Sequence, residues 1–346
     1  MDNTRTSVRC LIALLLAAAP LGAQNRRPPA ISEAELTRRL TSAVDSLVAL
    51  DQFSGVVVLA RGGSPVLQLV RGVADHAAGR ANGAETAFNL GSINKAFTAI
   101  AIRQLAAQGR LDLDSTLGHY WPDYPNQEAA RRVTIRQLLQ HRSGIGGNIF
   151  GVPAGGSRHA ILRLRDFLPL FVSEPLQFEP GSRQQYSNAG YVVLGLLVER
   201  LSGEDYYDYV RGHIYEPAGM SHTAHYAADS LPPIAAIGYT RADESGESST
   251  GPLRPNNALL PGRGSSAGGG YATAGDLLRF LAALREGRIV SGPPAGLGIA
   301  GGAPGMNAVV EGDLPGGYDL VVLANLDPPT AERVARLVRG WLGASD

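Results

Sequence analysis

Asn89-Leu90-Gly91-Ser92-Ile93-Asn94-Lys95-Ala96-Phe97 is the stretch on which the reading of this chain turns. Lys95 is the sole lysine in 346 residues, beside thirty arginines. Wherever a plain positive charge serves, the chain uses arginine. Arginine stays protonated in proteins, whereas a desolvated lysine gives up its proton and acts as a base. The retained lysine therefore marks a position that needs a removable proton. Ser92 stands three residues earlier, and Phe97, Ile100, Ala101 and Leu105 follow at helical spacing. Residues at i and i+3 share one helix face. The spacing thus predicts Ser92 and Lys95 side by side at a helix N-terminus, where the dipole and free N–H groups favour developing negative charge. The competing reading is a surface serine that caps a helix, with a solvated lysine one turn on.

Composition narrows the function classes. The chain carries 31 basic and 31 acidic residues, with no basic stripe or charged tail, which argues against a nucleic-acid partner. A hydrophobic content of 44% is that of a globular protein. Residues 1–23 read as a secretory signal: Arg5 and Arg9 at the start, an apolar run from Cys10 to Ala19, and Leu21-Gly22-Ala23 as a small-residue cleavage site before Gln24. The expected location is secreted or periplasmic; the alternative is a retained N-terminal anchor. Cys10 is the only cysteine and lies inside this signal, so a mature chain has no disulfide, thiol nucleophile or cysteine-bound metal. No later segment is apolar enough to cross a bilayer.

Residues 24–31 read as a polar linker, and residues 32–346 as the folded part. Ser32-Glu33-Ala34-Glu35 is a capping-box sequence that opens a helix to about Leu50. Gly55 to Ala60 and Pro65 to Arg71 read as a hairpin around Arg61-Gly62-Gly63-Ser64. The Ser92 helix stops at Gly109. Residues 110 to about 235 carry mostly helix and loop signals: a short helix opened by Thr134, candidates at Ala160 to Val172 and Ala189 to Leu201, and a helix from Glu204 to Ile214 broken at Glu216-Pro217. Residues 241–270 read as loop. A helix capped by Thr273, strands at Met306 to Val310 and Tyr318 to Asn325, and a helix from Pro329 to Leu342 complete the chain. The expectation is a mixed α/β fold: an antiparallel sheet flanked by helices, built from both chain ends, with a helical block inserted at about 110–235.

Three further segments bear on chemistry. They are Leu138-Leu139-Gln140-His141-Arg142-Ser143-Gly144, Tyr186-Ser187-Asn188-Ala189-Gly190-Tyr191 and Gly301-Gly302-Ala303-Pro304-Gly305. With Ser92-x-x-Lys95, and in this order, they resemble the β-lactamase-related serine hydrolase superfamily, in its class C β-lactamase, D,D-carboxypeptidase and esterase branch. The resemblance implies a Ser92 nucleophile, a Lys95 base, and Tyr186 in the proton relay. It also implies substrate contacts from Asn188, Gly301 and Gly302, with the N–H groups of Ser92 and Gly302 as the oxyanion hole. Tyr186 and Asn188, two apart in an extended segment, would point the same way, with Asn188 bonded to Lys95. No metal or cofactor is implied. His141 is tempting as a triad base, but the resemblance gives it a structural place beside the site. The remaining histidines show no metal-ligand spacing. A phosphate loop at Gly262 to Gly270 is excluded because it has no lysine.

Two departures from the family pattern stand out. Ile299 occupies the position where relatives carry Lys or His, two residues before Gly301. The span Gly287 to Gly298 is also too short for the helix and strand expected there. The sequence reading is an exported serine hydrolase of ester, amide or peptide-like acyl donors. The alternatives are a D,D-carboxypeptidase or β-lactamase, or a weakly active binding protein of the same fold.

Overall fold

A computed structural model describes residues 31–153, 156–243, 246, 251–290 and 297–344. The expected signal at 1–23 and all but Ile31 of the linker lie outside the described residues. Among the described residues, no helix is long and apolar enough to cross a membrane.

The strand β1 (Gly55–Arg61) reads Gly-Val-Val-Val-Leu-Ala-Arg and is buried on both faces. It pairs with β2 (Ser64–Arg71) through a turn in which Gly62 and Gly63 have φ of 58° and 81°. Such a two-residue turn needs positive φ at both centres, which two glycines accept at no steric cost. The other sheet strands come from the far end of the chain: β3 (Gly298–Ala303), β4 (Met306–Leu314) and β5 (Tyr318–Ala324). The order is β2-β1-β5-β4-β3, antiparallel throughout, as expected of a sheet built from both chain ends.

Each sheet face has its own apolar layer. Val57 and Leu59 meet Leu36, Leu40 and Val44 of helix α1 (Glu33–Ala49) and Val334 and Val338 of the C-terminal helix α5 (Thr330–Leu342). Val56 and Val58 face the opposite way, into a core shared with the inserted helices. At the centre of that core is α2 (Asn94–Ala107), with Phe97 edge-on to Tyr215 and to Phe280 of α4 (Ala274–Arg285), both at 5.0 Å between ring centroids. Beside it runs α3 (Asn188–Ser202), buried continuously from Ala189 to Val198 and closed by Gly203 at φ 81°.

Several local expectations are corrected. Ser32 accepts the Glu35 N–H at 3.2 Å, but the Glu35 carboxylate turns to Arg38 and Arg39, so only half of the capping box forms. The charge-assisted bonds outcompete a neutral backbone donor. Ala160 to Val172 is not an α-helix. It forms two 3-10 turns, Arg158–Ala160 and Leu164–Leu170, the second containing Pro169, which cannot donate to an α-helical ladder. Glu216-Pro217 does not break its helix. Tyr206–Val210 runs through a π turn, Arg211–Tyr215, into Glu216–Ala218, where Pro217 sits in a first turn that needs no N–H. The 241–270 loop holds a short strand, Arg254–Pro255, paired with Tyr239–Thr240.

The edge strand β3 lies against the turn that carries Ser92. A Cβ placed on Gly301 would sit 2.1 Å from the Leu90 carbonyl oxygen and 2.7 Å from the Ser92 nitrogen. A Cβ on Gly298, three residues back, would meet nothing within 4 Å. Gly301→Ala must therefore push strand from turn, costing about 1–3 kcal/mol, whereas Gly298→Ala leaves stability nearly unchanged. Thermal midpoints of the two variants check this; equal values would refute the close approach.

Candidate active site

Ser92 lies in a 3-10 turn, Gly91–Ile93, that feeds α2. One turn on, Lys95 Nζ donates to Ser92 Oγ at 3.0 Å and to the Ala267 carbonyl at 2.5 Å. On the other side, Ser92 Oγ is 2.6 Å from Tyr186 Oη. The serine hydroxyl is thus held between an amine and a phenol that are distant in sequence. Lys95 is only 7% exposed, and loss of water brings its pKa down to about 7. Its ammonium nitrogen lies 4.8 Å and 5.7 Å from the ring centroids of Tyr186 and Tyr191. Burial pushes the Tyr186 phenol up, against the smaller opposing effect of its bond to Ser92. At neutral pH the pair is therefore a lysine whose neutral form is within reach and a phenol that keeps its proton.

Tyr186 is held through its neighbours. The His141 carbonyl accepts the Gln185 N–H at 2.8 Å, and His141 Nδ1 accepts the Ser187 N–H at 3.1 Å. The imidazole stacks on the Tyr186 ring at 4.6 Å between centroids. Because Nδ1 is an acceptor, the ring proton sits on Nε2. Burial, then the charge of Lys95, lowers the His141 pKa, which favours this neutral form. With Nδ1 occupied by a backbone donor, His141 supports the tyrosine rather than forming a triad with Ser92. His141 itself has φ 57°, a conformation that histidine enters more readily than most residues.

The expected place of Asn188 needs correction. Ser187 is the N-cap of α3, accepting the Gly190 N–H at 2.9 Å and donating to the Ile145 carbonyl at 2.6 Å. Asn188 is the first helical residue, so the alternation of an extended strand does not govern it. It lines the cavity beside Ser92, but the described bonds of Lys95 run to Ser92 and Ala267 instead.

Gly302 lies beside the turn that carries Ser92. A Cβ on Gly91 would be 2.9 Å from the Gly302 nitrogen, and Ser92 and Gly302 line the same cavity. Gly301 lies behind it, its carbonyl held at 3.1 Å by the buried Asn307 amide, whose oxygen accepts the Ala331 N–H at 2.6 Å. Ile299, half-buried, packs against the main core and offers the site no charge.

One part escaped the sequence reading. The loop from Gly264 to Gly270 closes over Lys95. Its Ala267 carbonyl takes the amine, its Ser266 carbonyl takes Thr98 Oγ1 at 2.7 Å, and its Gly270 N–H reaches Asn94 Oδ1 at 2.9 Å. Gly264 and Gly269 pass so closely that a Cβ on the first would lie 2.5 Å from the backbone of the second. The glycine run was the visible signal, but a carbonyl acceptor leaves no mark in a sequence. Together these elements enclose a cavity of about 310 Å³ that opens on Ser92.

Comparison with known proteins identifies a family. The sequence model of the family described as Beta-lactamase matches residues 40–343. The chain is 31% identical to Esterase EstB of Burkholderia gladioli over 289 residues, 74% of this chain and 71% of that protein. It is 33% identical to a penicillin-binding protein of Bacillus subtilis (strain 168) over 191 residues, 55% of this chain and 42% of that one. The first curated relatives are matched over only about half of their own length. Among solved structures, a penicillin binding protein from Bacillus halodurans superposes with a TM-score of 0.74 at 28% identity, covering 86% of this chain and 99% of that one. A D-amino acid amidase from Ochrobactrum anthropi SV3, at 24% identity and a TM-score of 0.73, shares the fold. With a family model spanning nearly all of the described residues and the Lys95 and Tyr186 side chains meeting at the Ser92 hydroxyl, the chain belongs to the beta-lactamase family.

Proposed function

We propose that this protein is a serine hydrolase that cleaves ester or amide acyl donors through an acyl-enzyme on Ser92. The observation that carries the reading is the position of Ser92 Oγ, 3.0 Å from Lys95 Nζ and 2.6 Å from Tyr186 Oη. Neutral Lys95 accepts the Ser92 proton as Oγ attacks the carbonyl carbon. The resulting oxyanion sits at the N–H groups of Ser92 and Gly302. The protonated Tyr186 donates to the departing oxygen or nitrogen and is reprotonated from the Lys95 ammonium. In deacylation a water loses a proton to the base, attacks the ester carbonyl and restores the Ser92 hydroxyl. Asn188, on the cavity wall, is placed to contact the substrate.

Selectivity follows from Ile299. Penicillins, cephalosporins and D-alanyl peptides carry a carboxylate beside the scissile bond. Isoleucine offers that carboxylate neither charge nor hydrogen bond, a loss of about 1.5–3 kcal/mol relative to a charged donor. The favoured substrates are therefore esters without a carboxylate at that place. Export is part of the proposal, supported by the signal-like residues 1–23.

Ser92→Ala should abolish ester hydrolysis and labelling by a fluorophosphonate probe. Lys95→Arg should nearly do so with the fold intact, because the charge is kept and the base is lost. In the wild type, kcat/KM should rise with pH through about 7, since the active form is the deprotonated amine. An arginine variant that keeps most of the labelling rate, or a flat profile across that range, contradicts the role of Lys95. For selectivity, kcat/KM on a short p-nitrophenyl ester is compared with that on a chromogenic cephalosporin. Ile299→His should improve the cephalosporin selectively, by about one decade; no selective gain overturns the assignment. For location, mass spectrometry of protein from its own host should find an N-terminus near Gln24, and an intact Met1 contradicts export.

A further inference from the structure

We infer that the cavity beside Ser92 takes an acyl group with an apolar body and an anionic end, and that Arg158 meets the anion. This rests on the acyl-enzyme reading above. Much of the wall is apolar, built from Ile149, Phe150, Phe167, Leu259, Leu260 and Met306. Among the described lining residues Arg158 is the one charged side chain. Its Nε donates to the Phe150 carbonyl at 2.9 Å and its Nη1 to the Ala258 carbonyl at 3.2 Å. Its own carbonyl accepts the Gly262 N–H at 3.0 Å. These bonds fix the guanidinium in place, yet a carbonyl brings no counter-charge.

None of the ion pairs among the described residues involves Arg158. Arg136 and Arg285, by contrast, are closed by Asp114 at 2.6 Å and Asp313 at 2.9 Å. A guanidinium has five N–H donors, and two of these are used, which leaves enough for a bidentate carboxylate. A fixed cation with no acidic partner among the described residues, on a largely apolar wall, gains most from a ligand of opposite charge. This cation stands on the wall formed by residues 148–150, 158 and 259–261, not on β3. It therefore reads the far end of the acyl group and leaves the Ile299 position without a charge.

The test uses the purified protein and p-nitrophenyl hemiesters of dicarboxylic acids from succinate to suberate, each beside the ester of the matching monocarboxylic acid. At least one hemiester should exceed its neutral partner in kcat/KM by about tenfold. Arg158→Gln keeps donors for the two carbonyls and loses the charge. It should erase that preference while neutral esters stay within about twofold. Arg158→Lys should keep part of it. The ratio of anionic to neutral substrate is the readout, because a general loosening of the loop lowers both alike. If neutral esters are turned over but no hemiester is preferred, or the preference survives Arg158→Gln, the inference falls and the acyl-enzyme reading stands. If neither substrate is turned over and Ser92 is not labelled, both fall together.

Discussion

The amine of Lys95 has been taken out of water, and much of the molecule is arranged around that fact. Desolvation moves its pKa from the ordinary 10.5 to about 7. The unfolded chain then binds more protons than the folded one between those values, so this group's contribution to stability rises with pH across that window. Below about pH 7 the buried amine costs the fold something on the order of a few kcal/mol. The same cost makes a base of the lysine near neutral pH. A fold can carry such a group only if the surrounding core is large. Here Lys95 projects from a helix whose other faces carry Phe97, Ile100, Ile102 and Leu105 into the main apolar cluster.

The amine is also aimed. Four separate pieces of chain converge on the Ser92 hydroxyl and its base. The 3-10 turn supplies the serine, the edge strand β3 presses Gly301 and Gly302 against that turn, the Gly264–Gly270 loop gives Lys95 an acceptor, and the 185–187 segment brings the phenol. Three of the four are held by groups that do not line the cavity. Asn307 holds the Gly301 carbonyl, Ser266 Oγ donates to the Tyr191 carbonyl at 2.8 Å, and His141 grips the peptide on both sides of Tyr186. Glycine recurs at these junctions because backbone meets backbone there, with no room for a side chain.

The cavity combines two kinds of wall. The wall next to Ser92 is largely backbone and small residues, suited to a carbonyl and its oxyanion. The wall that holds Arg158 is largely apolar. Arg158 puts a positive charge on that wall, whereas Ile299 adds none to β3. Differential contacts of this kind, rather than the reacting groups, set selectivity in enzymes at large.

The sequence by itself determined the elements whose causes are local. The valine run of β1, the Gly62-Gly63 turn, the apolar α3 closed by Gly203 and the i, i+3 pairing of Ser92 with Lys95 all follow from propensity and periodicity. The solitary lysine pointed to the Ser92 and Lys95 pair before any geometry was available. Tertiary structure decided what depends on distant chain. Tyr186 meets Ser92 across 94 positions. Ala267 receives Lys95 through a carbonyl that every residue possesses, so side-chain identity says nothing of it. Asn188 became the first residue of a helix because Ser187 found a cap position, which ended the extended spacing. Pro217 was absorbed because a π turn upstream placed it where no N–H is needed. Local rules reach about one helical turn along the chain, whereas the burial that tunes Lys95 is a property of the assembled core.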